Sequence, residues 1–380
     1  MHYIDQALNP YRILNHNQEL NEKETLIDNK VPLALKSKEA GNIELHLTDK
    51  CNLKCSHCHF RNQGDKHISF KYISKISSEI KPKAITIAGG GEPTCYPYFD
   101  KAIVKLHEEL PNTKIGVITN GVFIPEGFWK TYVDWLRVSL YTLTLNNYCG
   151  IDAKNQDKVI TNIIRYLKET NIPKIGVSLL YNNDNLIECI KLSQKLFQII
   201  EKNGIGIERF NLQFKLAFNK IIPTKLTTSL HKQNKEFLPN KDTVINALEY
   251  LGGCFDNNKN YKMFMNTCSN YSCLLTYTDV LDKMLAQSDP NSRKPINYKK
   301  CYVGLIFRLI TPDGFVYPCP TIAEDRNKAF SIGHIDDSEE IYEKNVLKYY
   351  EADSDWCNHL YCRHNKHNTI IKNMLNDYFF

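Results

Sequence analysis

From residue 43 to residue 217, apolar runs of strand length alternate with segments of helical periodicity, and few folds accommodate such a chain. The strand candidates are Ile43 to Thr48, Ala84 to Gly89, Lys114 to Thr119, Leu136 to Thr142, Lys174 to Leu180 and Phe210 to Ala217. Between them Ile73, Ile76 and Ile80 recur at helical spacing. So do Ile103, Leu106 and Leu110, then Val159, Ile163 and Leu167, and more loosely Ile190, Leu196 and Ile200. Helical crossovers join parallel strands and are right-handed, so the pattern predicts an α/β fold over residues 43–217, a partial (β/α)6 TIM-like barrel with an open sheet as the alternative. Residues 1–42 form an N-terminal extension without a reading of their own. Residues 218–300 break the alternation with short helices and Asn-rich, Cys-containing loops, and are expected to be an insertion that caps the substrate. From Cys301 the pattern changes again. Phe307 to Ile310, the turn Thr311-Pro312-Asp313-Gly314, and Phe315 to Tyr317 predict a hairpin that opens a small C-terminal domain, 301–380.

Composition narrows the class. With 42% apolar and 24% charged residues, the chain can bury a full core. Its net charge of +6 permits an anionic ligand without demanding nucleic acid, and no aromatic-basic recognition motif stands out. Met1 to Asn21 carries no apolar signal region, and no run approaches the ~18 apolar residues of a membrane helix, so a soluble, cytoplasmic protein without membrane contact is expected. Thirteen cysteines, an odd number, argue against a disulfide framework there and for metal binding.

Cys51, Cys55 and Cys58 form a C-x3-C-x2-C run just after the first predicted strand. Structural zinc closes with four ligands, whereas an iron-sulfur cubane held by three thiolates keeps one iron open to a small molecule. Function in β/α barrels gathers at the C-terminal ends of strands, where this run falls. The second strand ends in Ala88-Gly89-Gly90-Gly91-Glu92-Pro93. Glycines there let backbone approach a ligand, and a carboxylate can accept bonds from an ammonium.

Together, with His57 before the last cysteine, these motifs resemble the signature of the radical S-adenosylmethionine (SAM) superfamily. The resemblance implies that Cys51, Cys55 and Cys58 hold a 4Fe-4S cluster whose open iron chelates SAM, beside His57, Gly90, Gly91 and Glu92 as cofactor-binding positions. Asn120 at the end of the third strand, Ser139 on the fourth, and Val177 with Ser178 on the fifth match more weakly as SAM contacts. Tyr141 stands where the family often has an aspartate. For each of these the alternative is a turn or strand residue satisfied by its neighbours.

The spacing from Cys301 through Gly314 to Cys319 resembles the opening of SPASM or shorter Twitch auxiliary-cluster domains, and Cys357 with Cys362 would complete four thiolates. Four can fully ligate a second 4Fe-4S cluster. Too few cysteines follow for full SPASM, so the one-cluster Twitch version is expected, with a zinc ribbon on the same residues as the alternative. His359, His364 and His367 suit a solvated tail, though one could replace a cysteine ligand. Cys189 suits simple burial on a helical face. Cys268 and Cys273 in the insertion are candidate hydrogen donors or replacement ligands, and no other catalytic residue is assigned.

The resemblance further implies reductive cleavage of SAM to a 5'-deoxyadenosyl radical that abstracts a substrate hydrogen, with electrons from a flavodoxin or ferredoxin. Oxidation through an auxiliary cluster or epimerisation through a thiol would follow. The extension of 42 residues is short for a leader-binding domain, which favours a small metabolite such as a sugar or aminocyclitol over a ribosomally made peptide. A non-catalytic zinc-binding module is the reading from another class, and it leaves the triplet and the Gly-Gly-Glu run unexplained.

Overall fold

The computed structural model describes residues 40–55, 58, 60, 64–143, 153–216, 241–266, 304, 307–323, 326–342 and 344–345. Six strands fall on the six predicted runs: β1 (Asn42–Leu45), β2 (Ala84–Ile87), β3 (Lys114–Thr119), β4 (Trp135–Leu140), β5 (Lys174–Tyr181) and β6 (Phe210–Leu216). They pair in parallel and in sequence order from β1 to β6. The longer helices between them are α1 (Phe70–Lys75), which runs on into a wider turn over Ile76–Ile80, α2 (Phe99–Glu109), α3 (Ala153–Glu169) and α4 (Leu186–Lys202). This is the α/β architecture of a partial TIM-like barrel.

The strand period of two divides the residues between faces. Ile43, Leu45, Ile85, Ile87, Ile115, Val117, Leu136, Val138, Ile175, Val177 and Leu212 point outward into one core with the helices, which bring Ile73, Ile76, Ile103, Leu106, Val159, Ile163, Ile190 and Leu196. Fully burying each such aliphatic side chain is worth roughly 1.5–3 kcal/mol. The residues between them form the inner face: Glu44 on β1, Thr86 on β2, Gly116 on β3, Trp135, Arg137 and Ser139 on β4, Gly176 and Ser178 on β5, Asn211 and Gln213 on β6. Trp135 is buried yet belongs to no apolar cluster, as its place on the inner face requires.

Two expectations about organisation change. The predicted hairpin forms as β7 (Phe307–Ile310) and β8 (Phe315–Tyr317), with Gly314 at φ +83° and its N–H bonded to Thr311 O at 2.9 Å. It does not stand apart: β7 pairs in parallel with β1, and β9 (Gly333–His334) extends the same nine-stranded sheet. In the insertion, α5 (Lys241–Asn257) and α6 (Lys259–Asn266) are not a cap over the substrate but part of the outer layer. Val244, Ala247, Leu251 and Phe255 line one helical face and bury against the main core. Near the first turn Thr243 bonds Asn183, just beyond β5, while Phe264 stacks on Phe210 at the start of β6 with ring centroids 5.4 Å apart. The pair therefore runs back along the barrel as a crossover helix does after its strand. Among the described residues no helix is long and apolar enough to cross a membrane.

Candidate functional site

The C-terminal ends of β1, β2 and β3 are tied into one unit around the cysteine loop. Beyond β1 the backbone runs through Thr48, Asp49 and Lys50 to Cys51, and the glycine run beyond β2 lies directly on it. Gly91 N donates to Thr48 O at 2.8 Å and Glu92 N to Lys50 O at 2.9 Å. A Cβ on Gly91 would sit 2.0 Å from Lys50 O, so no other residue permits this approach. Gly90 takes φ +72°, in the left-handed region that disfavours side chains.

Glu92 is buried and knots the second strand end to the third. Its Oε1 accepts from Thr94 N at 3.1 Å, Thr94 Oγ1 at 2.8 Å and Thr119 Oγ1 at 2.6 Å, and its Oε2 from Asn120 N at 2.8 Å. Burial pushes its carboxyl pKa up, and the bonds from Thr119, Asn120 and Thr94 oppose that shift. Asn120 Nδ2 in turn donates to Asn52 Oδ1 at 2.7 Å, within the cysteine loop itself. The circuit from loop to β2 end to β3 end and back is closed.

Within the loop Cys58 N donates to Cys55 O at 3.2 Å, and Leu53 N points at Cys51 Sγ at 3.4 Å. Cys51 is exposed as a residue, yet burial around its sulfur pushes the thiol up to about 12, helped by the charges of Glu92, Cys55 and Cys58. Among the described residues no group of three His, Cys, Asp or Glu side chains closes around a single metal ion. The fit to a 4Fe-4S cluster rests on the donor set: three soft thiols on one loop, each able to take its own iron. A fourth thiol, Cys95, accepts the Asn52 N–H, and burial raises its pKa.

Charge fastens one end of this loop to the turn of the C-terminal hairpin and the other to Arg326 just beyond the hairpin. Arg326 pairs with Asp49 before the cysteines, and Lys66 Nζ lies 3.0 Å from Asp313 Oδ2 after them. Arg326 Nη1 reaches Asp313 Oδ1 at 3.8 Å. Burial lifts Asp49 to about 6 against the pull of Arg326. Burial also acts to raise Asp313, but the Thr311 hydroxyl and Lys66 hold its pKa below the ordinary value.

Of the weaker expected positions, Asn120 joins this circuit, and Ser139 and Ser178 are register partners on the inner face. Ser178 Oγ lies 3.4 Å from Gln213 Oε1, and Arg137 reaches both. Val177 is corrected. It follows the opposite parity, with no exposure among the apolar residues of the outer core, so its side chain has no access to a ligand in the lumen. Cys319 is buried with Phe307, Leu309 and Tyr317. His57, Cys268, Cys273, Cys301, Cys357 and Cys362 lie outside the described residues. Glu44, His46, Asn52 and Arg326 were not anticipated. The alternation of Asn42, Glu44 and His46 with Ile43, Leu45 and Leu47 is a signal for the first two, since it puts polar groups on one face of a buried strand.

A β/α barrel with a three-thiol loop at its first strand end, braced by a Gly-Gly-Glu turn at its second, defines a cofactor-dependent barrel enzyme. Residues 45–194 match the family described as the Radical SAM superfamily. Over that stretch the chain carries a Radical SAM domain, and enzymes of that superfamily use SAM and a 4Fe-4S cluster. A probable GTP 3',8-cyclase of Pyrococcus abyssi is 26% identical over 230 residues, 54% of this chain and 74% of that protein. An S-adenosyl-L-methionine-dependent tRNA 4-demethylwyosine synthase of Methanocaldococcus jannaschii is 30% identical over 125 residues, 32% of this chain and 39% of that protein. Among solved structures, Streptococcus suis SuiB bound to precursor peptide SuiA gives a TM-score of 0.50 at 15% identity, covering 89% of this chain and 70% of that one. At that identity the likeness is one of fold.

Proposed function

We propose that this chain cleaves SAM reductively and takes a hydrogen atom from a small polar metabolite held in the barrel lumen. Bound at Cys51, Cys55 and Cys58, a reduced 4Fe-4S cluster with SAM supplies the 5'-deoxyadenosyl radical. The observation that carries this reading is the closed circuit of Gly91, Glu92, Asn120 and Asn52, which fixes the cysteine loop over the mouth of the lumen. In this reading His57, Gly90 and Gly91 border SAM, and Glu92 both braces the loop and offers Oε2 to the methionine ammonium. Asn120, Ser139 and Ser178 line the way inward, toward the polar row of Arg137 and Gln213.

A second cluster on Cys301, Cys319, Cys357 and Cys362 would take an electron from the substrate radical and so direct the reaction to oxidation, with zinc on the same thiols as the competing assignment. Support comes from the hairpin, which lays Gly304 against Pro318, so that a Cβ added to the glycine would lie 3.1 Å from the proline Cβ. Gly304 and Pro318, three residues after Cys301 and one before Cys319 in sequence, are thereby neighbours. Cys268 and Cys273 remain the proposed hydrogen donors for the epimerising variant, and a flavodoxin or ferredoxin the electron source. A small substrate is favoured by the inner-face polar residues Arg137, Ser139, Ser178 and Gln213 and by the cyclase relatives, whose name specifies a nucleotide.

Anaerobic reconstitution tests the proposal. About eight irons per chain are expected if both clusters form, and 5'-deoxyadenosine on addition of SAM and dithionite. The triple variant Cys51→Ala, Cys55→Ala, Cys58→Ala should lose about half the iron and all SAM cleavage. Persistent cleavage in that variant, or stoichiometric zinc without iron in the parent, would refute the assignment.

A further inference from the structure

Among the described residues, two inner-face ring nitrogens are buried without hydrogen-bond partners, and the triplet chemistry uses neither: His46 Nδ1 and Trp135 Nε1. His46 has no exposure and Trp135 only 5%. Orphans of this kind are rare, because leaving one unbonded costs about 1–3 kcal/mol. Their placement is specific. Trp135 shares a ladder row with Gly116, Thr86 and Glu44 across β4 to β1. Its indole lies over Gly116, where an added Cβ would fall 1.7 Å from Cε2 and 2.3 Å from Nε1. His46 comes two residues beyond Glu44, one inward-facing step or ~7 Å nearer the mouth. Its ring leans from the other side over Gly89, whose added Cβ would lie 2.5 Å from Nε2. Around them the inner face mixes polar and apolar groups: Thr86 is buried, Ile118, Arg137 and Ser139 are part-exposed, and buried Leu309 pairs with Glu44.

The hydrogen-bonding sense of each atom follows from its neighbours. His46 Nε2 lies 3.1 Å from Glu44 Oε1, and an ionised Glu44 only accepts, an arrangement in which Nε2 carries the proton and Nδ1 the lone pair. Burial lowers the imidazole pKa, which keeps the ring neutral. Indole N–H only donates. The lumen therefore presents a deep donor and, one step above it, an acceptor closed over by the ring of Phe60 from the cysteine loop, 4.8 Å away.

We infer that Trp135 and His46 are two stations of a substrate subsite for a neutral polyhydroxylated molecule, one hydroxyl accepting from Trp135 Nε1 and another donating to His46 Nδ1. The inference rests on the reading that the lumen is the substrate space. A single hydroxyl cannot fill stations a strand step apart. An anionic group would meet the Glu44 carboxylate and an imidazole nitrogen that offers it no proton. A water at each station is the competing occupant.

The test is heteronuclear magnetic resonance on the full chain with 15N-labelled Trp and His side chains, using myo-inositol as probe and cyclohexanol as the single-hydroxyl comparison. Trp135→Phe and His46→Asn assign the two signals. His46 Nδ1 should resonate as an unprotonated nitrogen, and myo-inositol should shift both signals saturably while one cyclohexanol molecule, with its single hydroxyl, should shift only one of them. Trp135→Phe, which keeps the ring over Gly116, should weaken myo-inositol about two- to tenfold, the range of one neutral hydrogen bond. The inference is overturned if myo-inositol moves neither signal and both show exchange with water alone, or if His46 carries its proton on Nδ1. SAM cleavage by the parent protein is measured in parallel. Cleavage without probe binding sinks the subsite alone, and binding without cleavage sinks the proposed reaction while the subsite stands.

Discussion

The glycine run after β2 invites two explanations, ligand approach and packing, and one substitution separates them. In Gly91→Ala the new Cβ would lie 2.0 Å from Lys50 O, 2.5 Å from Lys50 C and 2.6 Å from Asp49 C. All three are backbone atoms, so relief requires the β2 turn and the cysteine loop to part. Parting them strains or breaks the bonds from Gly91 N to Thr48 O and from Glu92 N to Lys50 O. Overpacking costs about 1–3 kcal/mol and each lost bond about 0.5–1.5, which together give about 2–6 kcal/mol. At about 2–4 °C per kcal/mol the melting temperature should fall by roughly 5–20 °C. Gly90→Ala is the comparison. Its Cβ meets Thr48 O at 3.0 Å and two side-chain atoms at 3.1 Å, and its φ of +72° adds left-handed strain of about 1–2 kcal/mol. It should therefore be the milder change. The assay is thermal unfolding of the cluster-free proteins, followed by iron content after reconstitution. Gly91→Ala melting with the parent and taking up the same iron would refute the packing argument and leave ligand approach as the reason for the glycine.

Glu92→Ala strands the N–H groups of Thr94 and Asn120, at about 1–3 kcal/mol each, and equilibrium dialysis should show weaker SAM binding together with lower resistance to denaturant. If both hold at the parent level, Glu92 neither braces the loop nor meets SAM. Asp313→Asn removes the partner of Lys66 and Arg326 and should cost up to about 1 kcal/mol at neutral pH, Asp313 being part-exposed. Because the folded-state pKa of Asp313 lies below 3.8, that difference is present above 3.8 and should shrink as pH falls through the folded value. Urea titrations of the cluster-free proteins across that range would show it, and a pH-independent difference would argue for packing instead of charge.

What was legible in the sequence is what is local and periodic. Ile73, Ile76 and Ile80 all lie buried on one side of α1 and its continuation because three- and four-residue steps return to one face whatever that face packs on. The same holds for Val159, Ile163 and Leu167 on α3. The triplet and the Gly-Gly-Glu turn were visible because chemistry needs those residue types within a few positions. Val177 misled because it was paired with Ser178 as a neighbour in sequence, whereas a strand turns neighbours to opposite faces. The helix α5 follows a long stretch without strand pattern, which suggests a cap, although Val244, Ala247, Leu251 and Phe255 mark a core-facing stripe.

What was not legible is the closure of the site from far along the chain. Nothing near Arg326 in sequence marks it, yet it meets an aspartate 277 positions away, and Asp313 meets Lys66 across 247. Both contacts follow from one topological fact, the parallel pairing of β7 with β1, which lays the Asp313 turn beside the strand end that carries the cysteines. Without that pairing the loop would be held only from the β2 and β3 side, through Gly91, Glu92 and Asn120. With it, the loop is gripped on both flanks, so displacement of the hairpin must be felt at Asp49 and Lys66. The C-terminal segment thus belongs mechanically to the cysteine site, through ordinary hydrogen bonds and charge pairs in the folded polypeptide.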